Sequence, residues 1–549
     1  MRLMILMAAT ILASPAAALP TNFKAQADSI VDSTVKSDEP GVAIIVTQHG
    51  KTVYQAGRGL ADLDKKIAIT PDTVFRLGSI TKQFTSSAIL KLVEQGKISL
   101  DDPLSKYLPD YPEPGGAATV RQLLNHTSGI MPYTAIPGFM NEGKTGRPYS
   151  TTELIATFKD HLVQFKPGEK WEYNNSGYVL LGAILEKVTG KSWDSAVQDL
   201  IVGPLKLKTI QGGIAEDETS RMAKGYTRRG DKIAPSTKIH MSVPQAAGAL
   251  IGTVGDLARW ADALHHGKVL SAASYAAMTG STTTADGKTS PYGFGIGTSD
   301  IRGQRTIGHS GGIFGFATDS AYLPDEDIFV AVFANSDDGP SPGMIMRRVA
   351  AAALGDPYAE FTAQPVDKAR VVPLLGIYDL QVGDRRFFER DGKLYTRRSG
   401  GGELEVFPAG GNRFFYGPDS LTWFEIVTAA DGKKTMLMHP EGATDGEPAK
   451  WSGPIPVEKP AFVVPEAVLS AYLGTYKSQV GTLVIAREGD SLTAKLEEQN
   501  PLKLKPITLD EFEVERVGAK IRFGTIADGK ASVLTLLQGS QRFEAKRAD

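Results

Sequence analysis

Hydrophobic and polar residues follow two different patterns along this chain, and the change comes just after residue 355. Before it, apolar residues recur every three to four positions in 79–96 and 253–266, which predicts amphipathic helices. Short apolar runs at 41–48 and 328–334 predict buried strands. After it, short alternating stretches are separated by glycine, proline and aspartate, as is typical of antiparallel strands and tight turns. The first part is therefore predicted to be α/β and the second all-β.

The all-β part contains an internal repeat. The segment 375–378 (Leu-Gly-Ile-Tyr) reappears at 473–476 (Leu-Gly-Thr-Tyr), and a proline-rich joint at 454–465 separates the two copies. Each copy has several short strands, which predicts a small antiparallel barrel that closes its own edges. We therefore place one barrel at 370–453 and a second at 466–549.

Two questions about the barrels stay open at this point. The barrels can also be understood as polysaccharide-binding or partner-binding modules. The first copy carries a polar insertion at 439–447 that the second lacks. This insertion is either an idle loop or a loop that shapes the rim of the active site.

Composition and charge exclude several classes of protein. Lysine and arginine number 60 and aspartate and glutamate 62, and no basic run marks a nucleic-acid surface. Cysteine is absent, which excludes disulfides and thiol catalysis. The histidines and acidic residues show no metal-ligand spacing, and no phosphate-binding loop follows a strand. We expect no metal and no other cofactor.

The first eighteen residues have the pattern of a secretory signal. Arg2 precedes a short apolar core that ends in Ala16-Ala17-Ala18. We expect cleavage after Ala18 and a protein that is periplasmic or secreted. The apolar core is too short to span a bilayer, and no later segment is long enough.

Ser79 and Lys82 form the first candidate catalytic pair. They begin the helix 79–96, so their Cβ atoms should lie about 5–6 Å apart on one helix face. A serine hydroxyl becomes a nucleophile when a neighbouring base takes its proton, and a partly buried lysine can be that base. The other Ser-x-x-Lys match, Ser33 with Lys36, lies in a polar helical run and is interpreted as a solvated helix surface. Ser79 is the predicted nucleophile.

The second candidate motif is Tyr173-Asn174-Asn175, the only Tyr-x-Asn in the chain. A phenol near a lysine ammonium can be driven towards phenolate, so Tyr173 can shuttle protons between the nucleophile and the leaving group. The Asn175 amide can donate to a substrate carbonyl while it accepts from Lys82. The alternative is a turn before a helix, with Asn175 or Ser176 as its N-cap.

The third motif is His309-Ser310-Gly311-Gly312. Its glycines suit a strand edge that approaches a ligand closely. The alternative is a structural histidine in a turn. A second His-x-Gly, at 265–267, is explained by the end of the helix 253–266, where histidine and glycine are common.

The three motifs in this order resemble the serine family of class C β-lactamases, penicillin-recognising D,D-peptidases, D-aminopeptidases and related esterases. The segment 121–130 is similar to the family's loop before its helical region, and 247–260 to a later helix. The resemblance covers roughly residues 25–355.

This resemblance implies a class C β-lactamase-like domain at 19–357. Its antiparallel sheet would have flanking helices and an inserted helical lobe, with the active site between sheet and lobe. It also implies that backbone amides of Ser79 and Gly312 hold the oxyanion. Asn175 and His309 would then orient the acyl group and respond to charge on the leaving group, and Gly311 would belong to the substrate-binding and oxyanion residues. Paired lipocalin-like barrels are similar to those of D-aminopeptidase-type members.

One departure bears on the substrate. The β-lactamases of the family carry Lys-Thr-Gly or a variant at the third motif, where this chain has His309-Ser310-Gly311. A permanent cation is thus replaced by a group expected to titrate near neutrality. The pattern favours the D-aminopeptidase branch.

We expect a serine hydrolase that cleaves short linear peptides, including ones with D- or modified residues, through a serine acyl-enzyme. Linearised cyclic peptides of the microcystin kind are one example implied by the resemblance. Lys82 and Tyr173 both stay candidates for the general base. The alternatives are a carboxylesterase, a β-lactamase and a non-catalytic peptide-binding or sensor protein. A homo-oligomer is left open.

Overall fold

The computed structural model describes residues 18–214, 219, 221–230, 232–456, 462–479, 481–489, 491–497, 499–514, 517, 519–538 and 541–548. The predicted signal peptide lies outside these residues except for Ala18. The chain divides into two compact units between Ser452 and Gly453. The first unit therefore contains both the α/β region and the first barrel. The predicted domain boundaries stay predictions.

The centre of the first unit is an antiparallel sheet, as predicted. Its strands follow one another in space in the order Gly297–Ile301, Gln304–Gly308, Phe316–Leu323, Ile328–Ala334, Val42–Gln48 and Lys51–Arg58. A short strand, Gly311–Ile313, pairs with Phe316–Leu323. The amino-terminal hairpin thus lies beside carboxy-terminal strands, with Val42 opposite Ala334.

The strand Val42–Gln48 is apolar at successive positions because both faces of the sheet are covered. Ile44 packs on one face, where the helices Phe23–Thr34 and Pro342–Ala353 lie. Ile45 faces the opposite core, which the sheet shares with the helical lobe. Burial on both faces explains a continuous apolar run rather than alternation.

Helices flank the sheet and form the lobe inserted between its strands. They run at Phe23–Thr34, Thr81–Glu94, Val120–Leu124, Glu142–Thr145, Thr151–Ala156, Asn175–Thr189, Trp193–Val197, Gln245–Gly248, Val254–His265, Ala272–Thr279 and Pro342–Ala353. The short helix Lys368–Val371 instead leads into the first barrel, where Val371 joins the barrel core. The helix Asn175–Thr189 is buried along its apolar middle and packs against Thr81–Glu94. These two helices bring the first two sequence motifs together.

The first barrel is closed, as predicted. In the described residues its eight strands are Gly376–Asp379, Asp384–Arg390, Lys393–Arg398, Glu403–Pro408, Arg413–Phe415, Trp423–Thr428, Lys434–His439 and Glu447–Gly453. Side chains fill its interior, including Phe387, Phe414 and Phe424 with ring centroids 4.8–5.4 Å apart. A filled interior is a packed core rather than a ligand cavity.

The first barrel packs directly against the α/β region. Leu421 of the barrel and Tyr358 share one hydrophobic core with the central sheet. Arg302 lies over the Tyr358 ring at 4.2 Å, and its Nη1 donates to the carbonyl of Gly442 at 2.7 Å. Gly442 belongs to the polar insertion 439–447. This insertion is therefore a contact between barrel and sheet rather than an idle loop.

The second unit contains the second predicted barrel. Its eight described strands are Gly474–Ser478, Gly481–Glu488, Ser491–Leu496, Leu502–Pro506, Glu511–Val514, Ala519–Phe523, Val533–Gln538 and Gln541–Arg547. Tyr378 and Tyr476, which matched in the repeat, are both fully buried. Each donates its hydroxyl to the carbonyl four residues earlier, that of Leu374 or Tyr472. The repeat in sequence is therefore a repeat in structure.

Candidate active site

Ser79 lies in a tight turn, Gly78–Ile80, that leads into the helix Thr81–Glu94. Gly78 takes φ +53°, a conformation that side chains disfavour. The turn places Lys82 in the first helical turn, with its Nζ 3.0 Å from the Oγ of Ser79. The structure therefore brings the first predicted pair into hydrogen-bond contact.

Lys82 is fully buried. Its Nζ contacts the Oδ1 of Asn175 at 2.8 Å and the carbonyl of Ala247 at 2.7 Å. Among the described residues no carboxylate forms an ion pair with it. Burial without an anion disfavours the ammonium and holds the pKa of Lys82 well below its usual value. A neutral amine at this position can accept the hydroxyl hydrogen of Ser79.

Tyr173 donates its hydroxyl to Ser79 Oγ at 2.7 Å. Burial raises the pKa of the Tyr173 phenol, so the group stays protonated. The expectation that a lysine ammonium drives Tyr173 towards phenolate was therefore wrong, because desolvation acts on both groups and favours their neutral forms. In these neutral forms, Lys82 can accept a proton beside the nucleophile and Tyr173 can donate one.

Asn175 begins the helix Asn175–Thr189, but it is not the cap. Asn174 is the N-cap, because its side chain accepts the backbone N–H of Gly177 at 3.0 Å. The alternative interpretation, with the cap at Asn175 or Ser176, was wrong by one or two positions. Since Asn174 caps the helix, the Asn175 amide is directed to Lys82 and to the hydroxyl of Thr134, 3.5 Å from its Nδ2.

His309 follows the strand Gln304–Gly308 and has both ring nitrogens engaged. Its Nε2 lies 2.8 Å from the Tyr292 hydroxyl, and its Nδ1 contacts the carbonyl of Ser310. Desolvation by the surrounding protein lowers the pKa of His309 to about 4. The expectation that His309 titrates near neutrality was therefore wrong, and the ring is neutral at pH 7.

Tyr292 and His126 are site residues that sequence reasoning missed. The Nδ1 of His126 accepts the backbone N–H of Asn174 at 3.1 Å, so its Nε2 carries the hydrogen and donates to the Tyr292 hydroxyl at 3.1 Å. Tyr292 then donates to the Nε2 of His309. This chain fixes the tautomer of His309. The only available signals were His126 in the loop 121–130 and the aromatic–glycine run at 292–295.

Gly311 allows the third motif to approach the nucleophile. A Cβ on Gly311 would lie 2.1 Å from the carbonyl oxygen of Leu77 and 2.4 Å from the Oγ1 of Thr318. On the other side of the contact, a Cβ on Gly78 would lie 2.9 Å from the backbone nitrogen of Gly312. The two backbones meet so closely that neither glycine has room for a side chain.

We expect Gly311→Ala to displace this strand from the nucleophile turn. The labelling rate of Ser79 by a small fluorophosphonate should fall about 100-fold, as a misplacement near 1 Å can cause, and the melting temperature should drop. Gly312→Ala is the matched control, because a Cβ at Gly312 meets no atom within 4 Å. Its melting temperature should not change. Equal melting temperatures for the two variants would contradict the close approach.

Two cavities border these groups. The first, of about 340 Å³, is lined by Gly78, Ser79, Tyr133, Thr134, Met140, Asn175, Ile239, Pro244, Ala247, Gly248, Gly312, Ile313, Phe314 and Asp337. We call it the apolar pocket. The second, of about 360 Å³, is lined by Tyr173, Tyr292, Gly297, Thr298, Ser299, Thr306, Gly308, His309, Ser310, Asp319, Ser320, Ala321, Met346 and Arg347. We call it the polar pocket.

The polar pocket is connected to the first barrel through Arg347. Its Nη2 lies 3.5 Å from the carboxylate of Glu441, in the insertion 439–447. Asp319 lines the same pocket, and burial raises the pKa of its carboxyl to about 6. The insertion thus contacts a wall of the site, which favours its interpretation as a loop that shapes the rim.

The described part of the chain lacks two further kinds of feature. Within it, no group of three or more histidine, aspartate and glutamate side chains is arranged to hold a metal ion. No helix there is both long enough and apolar enough to cross a membrane.

Residues 27–355 match the family described as Beta-lactamase. The chain belongs to the β-lactamase family. The match covers the sheet, the helical lobe and all three motifs, so the resemblance first seen in the motifs is confirmed. The β-lactamase family fold and the two closed barrels together confirm the predicted fold class. The chain is accordingly a serine hydrolase of this family.

Individual relatives lie in several branches of the β-lactamase family. Penicillin-binding protein 4* of Bacillus subtilis is 25% identical over 73% of this chain and 93% of its own length. A D-aminopeptidase of Brucella canis is 28% identical over 58% of this chain and 61% of its own. The structure of a D-amino acid amidase of Ochrobactrum anthropi with D-phenylalanine is 26% identical, with a TM-score of 0.54 over 61% of this chain and 99% of that one.

Proposed function

We propose that this chain hydrolyses amide bonds of short linear peptides, including ones with D- or modified residues, through an acyl-enzyme on Ser79. The observation that carries the proposal is the contact of Ser79 with both a buried amine and a protonated phenol. Such a pair can take a proton from the nucleophile and return it to a leaving amine.

The proposed reaction begins when neutral Lys82 takes the hydroxyl proton of Ser79 as its Oγ attacks the carbonyl. The backbone amides of Ser79 and Gly312 hold the oxyanion. The Tyr173 hydroxyl, which also lines the polar pocket, passes a proton to the leaving nitrogen and is reprotonated from Lys82. Water then attacks the acyl-enzyme. Its proton passes to Tyr173 and Lys82, and Lys82 returns a proton to the Oγ of Ser79. Asn175 orients both the amine and the acyl group.

The neutral state of His309 supports a peptidase over a β-lactamase. A β-lactam carries a carboxylate, and the lysine at this position in β-lactamases of the family supplies a permanent cation. A ring with a pKa of about 4 supplies none at pH 7. The names of two relatives, a D-aminopeptidase and a D-amino acid amidase, point to the same kind of substrate.

Two alternative functions have less support from the site. A carboxylesterase would use the same acyl-enzyme, and only rates on matched substrates separate it from an amidase. A binding or sensor protein has no need for a nucleophile in contact with a base and a proton donor. The filled interior of the first barrel also argues against a ligand in that barrel.

Kinetics on matched substrates test the proposal. We expect kcat/KM for linear peptide amides to exceed that for nitrocefin by about 100-fold or more, the discrimination that loss of a charged contact gives. His309→Lys should raise nitrocefin acylation relative to peptide turnover. Active enzyme is counted by fluorophosphonate titration, so that a low rate is not mistaken for inactive protein. Efficient nitrocefin hydrolysis with no peptide cleaved would overturn the proposal.

Export and assembly remain proposals as well. The signal pattern of residues 1–18 supports export to the periplasm or the medium. Light scattering of the purified protein would decide whether it forms a homo-oligomer.

A further inference from the structure

The apolar pocket has one charged wall. Among its described lining residues, only Asp337 carries a charge. The other walls include Tyr133, Met140, Ile313 and Phe314. The volume of about 340 Å³ lies near the lower end of the range for ligand pockets, which suits a single amino-acid residue.

The Asp337 carboxylate is held in place but not neutralised. Its Oδ2 accepts the backbone N–H of Gly315 at 2.7 Å, and its own N–H donates to the carbonyl of Tyr226 at 3.3 Å. In the described part of the chain, no lysine, arginine or histidine forms an ion pair with it. A negative charge next to apolar walls attracts a cation more strongly than it would in open water.

The position of the apolar pocket indicates which part of a substrate it binds. Ser79, Asn175 and Gly312 line it, whereas Tyr173, the proposed donor to the leaving group, lines the polar pocket. The apolar pocket is therefore on the acyl side of the bond that is cut. This placement rests on the proposed function.

We propose that Asp337 binds a primary ammonium on the acyl side of the substrate, next to an apolar group. Two sources share this chemistry: the free amino terminus of the residue whose carbonyl Ser79 attacks, and a lysine-type side chain. The apolar walls favour the first, because they leave room for an uncharged side chain beside the ammonium. The enzyme is then an aminopeptidase or amino-acid amidase that prefers an apolar first residue and discriminates against an acylated amino terminus.

The matched variant is Asp337→Asn. The asparagine carbonyl can still accept from the N–H of Gly315, so the turn keeps its hydrogen bond while the charge is lost. Asp338→Asn is the control. The Asp338 side chain accepts from the backbone of Arg228 and from the Ser336 hydroxyl, and it does not line the apolar pocket.

The first measurement is kcat/KM on three amides: phenylalanine amide, its N-acetyl form and N-acetyl-lysine amide, each as D and L isomers. The unmodified enzyme should prefer the free amine over the N-acetyl form by about tenfold or more, and Asp337→Asn should lose that preference. An alternative result is that the unmodified enzyme prefers N-acetyl-lysine amide and loses that preference in Asp337→Asn. That result would show that Asp337 binds the ammonium of a side chain rather than of an amino terminus. Equal losses on all substrates would mean that Asp337 only supports the turn, and would overturn the inference.

The second measurement does not depend on turnover. Phenethylamine, but not 2-phenylethanol, should slow fluorophosphonate labelling of Ser79, and this protection should disappear in Asp337→Asn and persist in Asp338→Asn. If no amide is cleaved, the proposed function fails while this result still decides the role of Asp337. If amides are cleaved but amine protection is the same in all three proteins, the inference fails and the proposed function stands.

Discussion

Ser79→Ala is expected to abolish turnover and covalent labelling while the fold stays intact. The loss in kcat should be about 10⁴-fold or more, by analogy with other serine hydrolases in which the nucleophile is removed. The fold should survive because the change removes one oxygen from a side chain that is not fully buried. Intact-mass spectrometry after treatment with a fluorophosphonate is the measurement. The melting temperature of the variant should match that of the unmodified protein.

Ser33→Ala is the matched control, since it changes the other Ser-x-x-Lys. There the Ser33 hydroxyl donates to the carbonyl of Ile30 at 3.1 Å, and Lys36 pairs with Glu39 at 2.7 Å. Neither group has a catalytic partner, so labelling should be unchanged. An adduct that persists in Ser79→Ala, or that maps to Ser33, would remove Ser79 from the mechanism.

Lys82→Met should have the second-largest effect. It replaces a buried amine by an apolar side chain of similar length, and the loss of a general base costs about 10²–10⁴-fold in rate. In the unmodified enzyme, activity should fall as pH drops through the lowered pKa of Lys82, because the ammonium cannot accept a proton. The measurement is kcat/KM against pH. A variant that keeps an unmodified rate would make Tyr173 the base.

The same substitution has a consequence for stability. The folded-state pKa of Lys82 lies below its usual 10.5, so between these values the unfolded chain binds more protons than the folded one. Burial of Lys82 therefore lowers the free energy of unfolding, and it does so by the full amount at pH values below the folded-state pKa. This loss of stability disappears as pH rises to 10.5. The melting temperature of the unmodified protein should rise with pH relative to that of Lys82→Met. An equal pH dependence of both proteins would contradict the lowered pKa.

The parts of the site that could be predicted are local or carried by motifs. Ser79 and Lys82 are one helical turn apart, so helix geometry alone places them together. Tyr173, Asn175 and His309 are distant in sequence, and only the resemblance grouped them. The barrels were visible because alternation and a repeat both survive in the sequence, as Tyr378 and Tyr476 show.

The rest depends on packing that a sequence does not encode locally. The pKa directions of Lys82, Tyr173 and His309 follow from desolvation by residues far along the chain. The tautomer of His309 depends on Tyr292 and His126. Asp337 was not noticed, because nothing around it in sequence says that it lines a pocket with Ser79.

The packing of the first barrel against the α/β region determines where this chain can be shortened or joined to another in a chimera. A shortened chain that ends at residue 357 would lose both Tyr358 and Leu421 from the core that they share with the central sheet. It would also strip Arg302 and Arg347 of their partners in the insertion 439–447. A chimera is better joined after Ser452, where the chain passes from one compact unit to the next. The smallest recombinable catalytic cassette therefore includes one barrel.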